Sequence, residues 1–152
     1  MSSDTAIFMD SIDKSTFTIE PDSRIVIKPW GRELLLTTDT NPYTMKIIEI
    51  NSGARLSLQA HDQKTETWTI LRGRAGVMIE DETGELQEIE LTYGIGFTTK
   101  LGQRHRLYGI TDCAVAEAST PEIGITLRLE DDYGRPDETE AMRADPNRGW
   151  NA

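Results

Sequence analysis

The sequence predicts an all-β protein with a jelly-roll architecture, and three observations support this fold class. Short runs rich in Val, Ile, Leu, Thr and aromatic residues follow one another, and many alternate apolar and polar residues with a period of two. These runs recur about every 8 to 12 residues, with Gly, Asn, Asp or Pro between them. No convincing helical period of apolar residues interrupts them. About ten strands in about 110 residues are typical of a jelly roll.

The candidate strands are separated by recognisable turn residues. In order, the runs are RIVI, ELLLTT, YTMKIIEI, RLSLQAH, ETWTILRG, AGVMIE, ELQEIEL, GIGFTT, HRLYGI, CAVAEAS and GITLRLE. RIVI ends at Pro29, YTMKIIEI ends at the NSG turn, and the DETG turn follows AGVMIE. The series predicts a single β-domain over residues 23–130.

The two ends of the chain have a different composition from the centre. Residues 1–22 are polar and weakly patterned, which predicts a flexible arm with one candidate strand at residues 16–20. Residues 131–152 are charged, contain proline and have almost no aliphatic side chains. They predict a flexible acidic tail with at most a short helix at residues 139–143.

Composition excludes several functional classes. The chain of 152 residues carries a net charge of −10, which disfavours nucleic acid as a partner. Cys113 is the only cysteine, so no intrachain disulfide forms. The N-terminus lacks the features of a secretory signal, and no apolar run approaches the roughly 20 residues of a membrane span. We therefore expect a cytoplasmic protein that does not associate with membranes.

The stretch LSLQAHDQKTETWTILRG brings together side chains that bind divalent metals. Gln59 and His61 are two residues apart and share one face of a strand. Glu66 begins the next run, so a hairpin would turn it toward the same interior. An imidazole, a carboxylate and an amide oxygen form a plausible metal site, with His105 as the only other histidine of the chain. Taken singly, each residue has an ordinary structural or surface interpretation.

Several motifs in order carry a resemblance to a known family. They are KPWGRE, GARLSLQAHDQKTETWTILRG, HRLYGI, EASTP and RLEDDYGR, which together cover roughly residues 28–135. The chain resembles a cupin, and in particular the small single-domain relatives of type II mannose-6-phosphate isomerase.

The resemblance implies a double-stranded β-helix with one divalent metal inside the barrel. The implied ligands are Gln59, His61, Glu66 and His105. Zinc is the expected metal, with manganese, nickel and iron as alternatives. Family analogy also implies a homodimer.

Three positions depart from patterns of the wider family. Gln63 stands where many cupins carry the second histidine of a His-x-His motif. Lys64 and Thr67 stand where the longer bifunctional isomerases carry arginine and histidine. These departures make metal binding a firmer expectation than catalysis.

The implied reaction is the interconversion of mannose 6-phosphate and fructose 6-phosphate. It moves a proton between C1 and C2 of the open-chain sugar through an enediolate, which a metal stabilises. Lys64 and Glu117 are the candidate catalytic residues. Arg55 and Arg106 are the candidate substrate-binding residues. Side chains alternate along a strand, so Arg55 has the parity of Gln59 and would point to the same face, whereas Arg106 directly follows His105 and would point outward. This strand parity favours Arg55.

Two other classes of function remain open from the sequence. One is a metal- and sugar-binding cupin without turnover, and the other is a metal-dependent oxygenase or lyase. The sequence does not specify the metal, the sugar, the general base or the oligomeric state.

Overall fold

The structure is a computed structural model that describes residues 2–149, and it consists of two antiparallel β-sheets. In chain order the strands are β1 (Arg24–Lys28), β2 (Gly31–Leu35), β3 (Thr44–Ile50), β4 (Leu58–His61), β5 (Glu66–Arg72), β6 (Ala75–Glu80), β7 (Leu86–Glu90), β8 (Phe97–Thr98), β9 (His105–Gly109), β10 (Cys113–Ser119) and β11 (Thr126–Glu130). One sheet has the order β1-β2-β3-β10-β5-β8 and the other the order β11-β4-β9-β6-β7. The predicted all-β jelly roll is confirmed.

The inward faces of the central strands change from apolar to charged along their length. On β3 every second residue is buried, and the inward row runs from Ile50 and Ile48 to Lys46. Cross-strand pairing sets Glu117 of β10 between Lys46 of β3 and Trp68 of β5. One end of the barrel therefore holds the apolar core, and the other end holds charged groups that must find partners inside the protein.

The KPWGRE motif has a structural role at the β1–β2 hairpin. Trp30 is almost completely buried in the core. Gly31 pairs with Ile50 at a φ of 149°, and a Cβ atom there would lie 2.0 Å from the carbonyl oxygen of Glu49. Only glycine permits this close approach of the two backbones. The motif thus positions β1 and β2, which carry charged residues into the barrel.

The N-terminal segment contains a helix and no strand. Helix α1 (Ser3–Ser11) is capped by Ser2 and has no buried residue. Residues 14–16 form a single 3₁₀ turn, in which the Asp13 side chain accepts a hydrogen bond from the backbone N–H of Ser15. The predicted strand at residues 16–20 is wrong, because this local cap forms where no neighbouring strand pairs with the segment. Within residues 2–149, no helix is long and apolar enough to cross a membrane.

The C-terminal segment packs against the barrel, although its composition predicts a solvated tail. The predicted short helix is confirmed as α2 (Glu140–Arg143), with Thr139 as its N-cap. Before it, Glu138 and Thr126 exchange backbone hydrogen bonds of 2.9 and 3.0 Å. After it, Arg148 lies in a buried ion pair with Glu33 of β2. Charged side chains order this segment because the barrel supplies oppositely charged partners. Residues 150–152 of the predicted tail lie outside the described residues.

Glu138 makes a testable contribution to stability. Burial would raise the pKa of its carboxyl, but Lys28, Arg148 and Arg128 outweigh burial and lower the pKa to about 2. Because the pKa is lower in the folded state, the ionised carboxylate stabilises the fold at pH values above the pKa of the unfolded state. This contribution is lost as the pH falls from about 4.5 toward 2. We expect Glu138→Gln to lower the free energy of unfolding at pH 7 by about 2–3 kcal/mol, with a smaller difference below pH 5.

Urea unfolding of the metal-free protein at pH 7, 5 and 4 measures this difference. Glu90→Gln is the control, because Glu90 pairs with Arg74 on the surface and should leave stability near the wild-type value. A difference for Glu138→Gln that stays constant with pH would contradict the assigned role of its charge.

Candidate metal centre

Three predicted ligands from three strands meet inside the barrel. His61 ends β4, Glu66 begins β5 and His105 begins β9, so the cluster joins the two sheets. Their candidate ligand atoms all lie within 4.8 Å of one another, and all three residues are buried. Glu66 Oε1 lies 2.9 Å from His105 Nε2 and 3.3 Å from His61 Nε2. This His/Glu/His group could hold a metal ion.

Hydrogen bonds behind the two imidazoles orient their Nε2 atoms toward the cluster. His105 Nδ1 lies 2.9 Å from the backbone carbonyl oxygen of Gln103, which can only accept, so Nδ1 carries the proton. His61 Nδ1 lies 3.2 Å from Thr126 Oγ1. Burial lowers the pKa of His61, which favours the neutral imidazole. A neutral imidazole with a free Nε2 is the form that binds metals.

Gln59 completes the predicted set through its amide group. It pairs with His105 across β4 and β9, and its Nε2 lies 3.4 Å from the Nε2 atoms of both histidines. Its Oε1 accepts a hydrogen bond of 2.7 Å from Ser57 Oγ. A 180° rotation of the amide would turn the oxygen toward the cluster, and the Ser57 hydroxyl could then accept from the amide nitrogen. The amide can therefore serve as a neutral oxygen donor.

Glu66 supplies the anionic donor. Its Oε2 is buried without a hydrogen bond of suitable geometry among the described residues, although Lys64 Nζ lies 2.7 Å away. Burial would raise the pKa of this carboxyl, but the charge of Lys64, and next the contacts with His105 and His61, hold it well below its usual range. An ionised carboxylate with spare acceptor capacity beside two imidazole nitrogens fits a divalent cation.

The two candidate catalytic residues lie in the same cavity and differ in charge state. Lys64 Nζ lies 3.4 Å from carboxylate oxygens of both Glu117 and Glu122. Burial opposes its charge, but the surrounding carboxylates, including Glu66, raise the pKa of Lys64 well above its ordinary value. Lys64 is therefore a fixed cation.

Glu117 is the group suited to exchange a proton. Its Oε2 accepts a hydrogen bond of 3.2 Å from Trp68 Nε1. Burial, and next the negative charge of Glu66, raise the pKa of the Glu117 carboxyl. A raised carboxyl pKa brings proton uptake and release closer to neutral pH.

The structure does not bring the two predicted substrate-binding arginines to this cavity. Arg55 is half-exposed and forms a bidentate pair with Asp132 at 2.5 and 2.9 Å. Arg55 does not share the inward face of Gln59 as strand parity predicts, because the regular strand begins only at Leu58. Arg106 faces away from His105, as parity predicts, but it is buried and bonds to the side chain and backbone of Glu130.

The cavity beside the cluster is small, about 40 Å³, and among its charged lining residues the sequence analysis assigned roles only to His61, Lys64 and Glu117. The charged lining residues other than His61 are Lys28, Lys46, Lys64, Arg128, Arg135, Glu33, Glu117, Glu122 and Glu138. For some of them, alternation along the strand already indicates an inward-facing side chain. Lys46 has the parity of the buried Ile48, and Glu33 has the parity of the buried Leu35.

Comparison with known proteins identifies the family. The family described as mannose-6-phosphate isomerase C-terminal matches residues 18–120. The chain belongs to this family.

Two curated relatives show how much of a longer protein the match covers. The chain is 34% identical over 119 residues to the alginate biosynthesis protein AlgA of Pseudomonas aeruginosa. It is 32% identical over 117 residues to the mannose-1-phosphate guanylyltransferase ManC of Salmonella typhimurium. Each match covers 74% of this chain but 23% of the relative. The chain therefore spans under a quarter of the length of these relatives.

Solved structures support the same architecture at lower identity. A structure concerned with the Mn(II) centres of Bacillus subtilis oxalate decarboxylase matches with a TM-score of 0.62 and 19% identity, over 77% of this chain and 34% of that one. KdgF from Halomonas sp. matches with a TM-score of 0.55 and 18% identity, over 66% of this chain and 86% of that one. At these identities the likeness shows the cupin fold.

Proposed function

We propose that this cupin is a metal-dependent sugar-phosphate isomerase that interconverts mannose 6-phosphate and fructose 6-phosphate. The observation that carries the proposal is one cavity lined by both His61, which belongs to the His61–Glu66–His105 cluster, and the buried Glu117. The family description and the name of the ManC relative, which refers to mannose 1-phosphate, support a sugar phosphate as the substrate.

The ligand set favours a Lewis-acid metal. Two imidazoles, a carboxylate and an amide oxygen suit zinc, which is our first choice, and manganese is supported by the oxalate decarboxylase neighbour. A bound divalent cation would polarise the carbonyl and hydroxyl oxygens at C1 and C2 of the open-chain sugar.

The protein's own residues would handle the proton. In this proposal Glu117 removes the proton from one carbon and returns it to the other, and Trp68 holds the second carboxylate oxygen. Lys64 stays charged and fixes the carboxylates of Glu66 and Glu117 on either side of it. The barrel walls limit the access of water to the reacting carbons.

Isotope exchange tests this function directly. We expect the metal-loaded protein to incorporate deuterium from D₂O at C1 or C2 of mannose 6-phosphate without oxygen, and the chelated protein to incorporate none. NMR of the recovered hexose phosphate measures the label. Oxygen-dependent product formation would instead indicate an oxygenase.

A non-catalytic metal- and sugar-binding protein is the second candidate. The departures at Lys64 and Thr67 from the longer bifunctional isomerases favour it, because they bear on catalysis and leave the metal-binding side chains in place. The absence of exchange with mannose, glucose and fructose phosphates in a fully metallated sample would establish this alternative over the isomerase.

Several expectations from the sequence stay predictions. They are the homodimer, the cytoplasmic location and the domain limits at residues 22/23 and 130/131. Light scattering coupled to gel filtration measures the first of these.

A further inference from the structure

Two buried cations of the cavity wall share one carboxylate oxygen. Arg128 of β11 places a guanidinium nitrogen 2.9 Å from Glu138 Oε2, and Lys28 of β1 places Nζ 3.7 Å from the same atom. The side chains of all three residues are less than a tenth exposed. An oxyanion therefore already lies between a lysine and an arginine inside the cavity.

Neither cation uses its full donor capacity. Arg128 Nε is buried and has no hydrogen-bond acceptor within residues 2–149. Lys28 approaches Glu33 and Glu138 only at 3.8 and 3.7 Å, which is too far for a hydrogen bond. A buried donor without an acceptor costs free energy, so an anionic oxygen that accepts from these two cations would be stabilised here.

The position of Arg128 links these cations to the metal cluster. In the pairing of β11 with β4, Arg128 lies opposite Gln59. Lys28, Arg128, Gln59 and His61 all line one cavity. A ligand with a metal-binding end and an anionic end could contact both groups at once.

We propose that Lys28 and Arg128 form the phosphate subsite of the sugar-phosphate substrate, and that the Glu138 carboxylate occupies this subsite until substrate enters. The proposal rests on the proposed function. A guanidinium binds phosphate through paired donors, and the ammonium adds a point charge.

Exchange of the carboxylate for phosphate accounts for the small cavity. A cavity of about 40 Å³ is far smaller than the pockets of roughly 300–1,000 Å³ that usually bind small molecules. A hexose phosphate must therefore displace protein groups. The Glu138 side chain can leave while its backbone stays hydrogen-bonded to Thr126. The phosphate then restores the negative charge that the two cations lose.

Calorimetric titration of the metal-loaded protein tests the subsite. The ligands are 1,5-anhydromannitol 6-phosphate and 1,5-anhydromannitol, which have no carbonyl carbon to isomerise and differ only in the phosphate. We expect Arg128→Met to weaken the phosphorylated ligand ~10- to 100-fold and the parent less than about twofold. Lys28→Met should act in the same direction, and Arg128→Lys is the substitute if the methionine variant does not fold.

Arg55→Met is the matched control, since it removes an arginine outside the cavity and should leave both affinities unchanged. Equal losses of both ligands in the Arg128 variants, or an equal effect of Arg55→Met, would overturn the subsite. The ligands cannot react, so an absence of isomerase activity leaves this result intact.

Glu138→Gln tests the exchange itself. Loss of the competing charge should tighten the phosphorylated ligand ~3- to 10-fold and leave the parent unchanged. Unchanged or weaker binding of the phosphorylated ligand, in a variant with wild-type metal content and circular dichroism, would show that Glu138 does not compete for the site.

Discussion

Replacement of His61 or His105 by alanine is expected to lower metal affinity by more than about 1,000-fold and to leave the β-sheets intact. Each imidazole supplies one nitrogen to the buried cluster, and no third histidine exists in the chain to replace it. Metal analysis after gel filtration and competition with a chelator measure the loss. Circular dichroism reports the fold.

Thr126→Val is a milder substitution with which the two histidine variants can be compared. It removes only the hydroxyl beside His61 Nδ1, so it should reduce affinity by about tenfold. Full stoichiometric metal in either histidine variant would show that the cluster is not the binding site.

The second large effect is expected for Glu117→Gln. This substitution keeps the size of the side chain but removes its capacity to accept a proton. We expect the rate of deuterium exchange into mannose 6-phosphate to fall about 1,000-fold with metal content unchanged. Single-turnover exchange monitored by NMR separates this effect from substrate binding.

Glu122→Gln is the matched control for Glu117→Gln. Both carboxylates lie 3.4 Å from Lys64 Nζ, so both variants remove a charge beside the same ammonium. Only Glu117 also binds Trp68 Nε1 in the row that faces the barrel interior. A similar loss in the two variants would indicate an electrostatic effect on Lys64 and would exclude a specific proton-transfer role for Glu117.

Local patterns predicted which way the candidate site residues face wherever the chain forms regular strands. Gln59 and His61 share a face because they are two residues apart on β4, and His105 and Arg106 face opposite ways on β9. Arg55 shows the limit of the same argument. Parity requires continuous extended backbone, and Arg55 precedes the regular part of β4, so its side chain pairs with Asp132 instead.

The charged lining of the cavity could not be predicted from residues that are neighbours in the sequence. Arg148 and Glu33 are 115 positions apart, and Lys64 and Glu117 are 53 apart. A lysine on a strand is usually solvated, and only the facing carboxylates make its burial possible. The packing of the segment after residue 130 escapes prediction for the same reason, because its charges find partners only on the folded barrel.

The sequence by itself determined the β architecture and the set of side chains that could hold a metal ion. Period-two alternation, turn residues and two histidines are local properties, and each strand carries them before it meets another. Tertiary structure alone decided which charges surround the cluster and whether the arm forms a strand. Ion pairing and strand pairing depend on the identity and distance of a partner across space, and a linear pattern records neither.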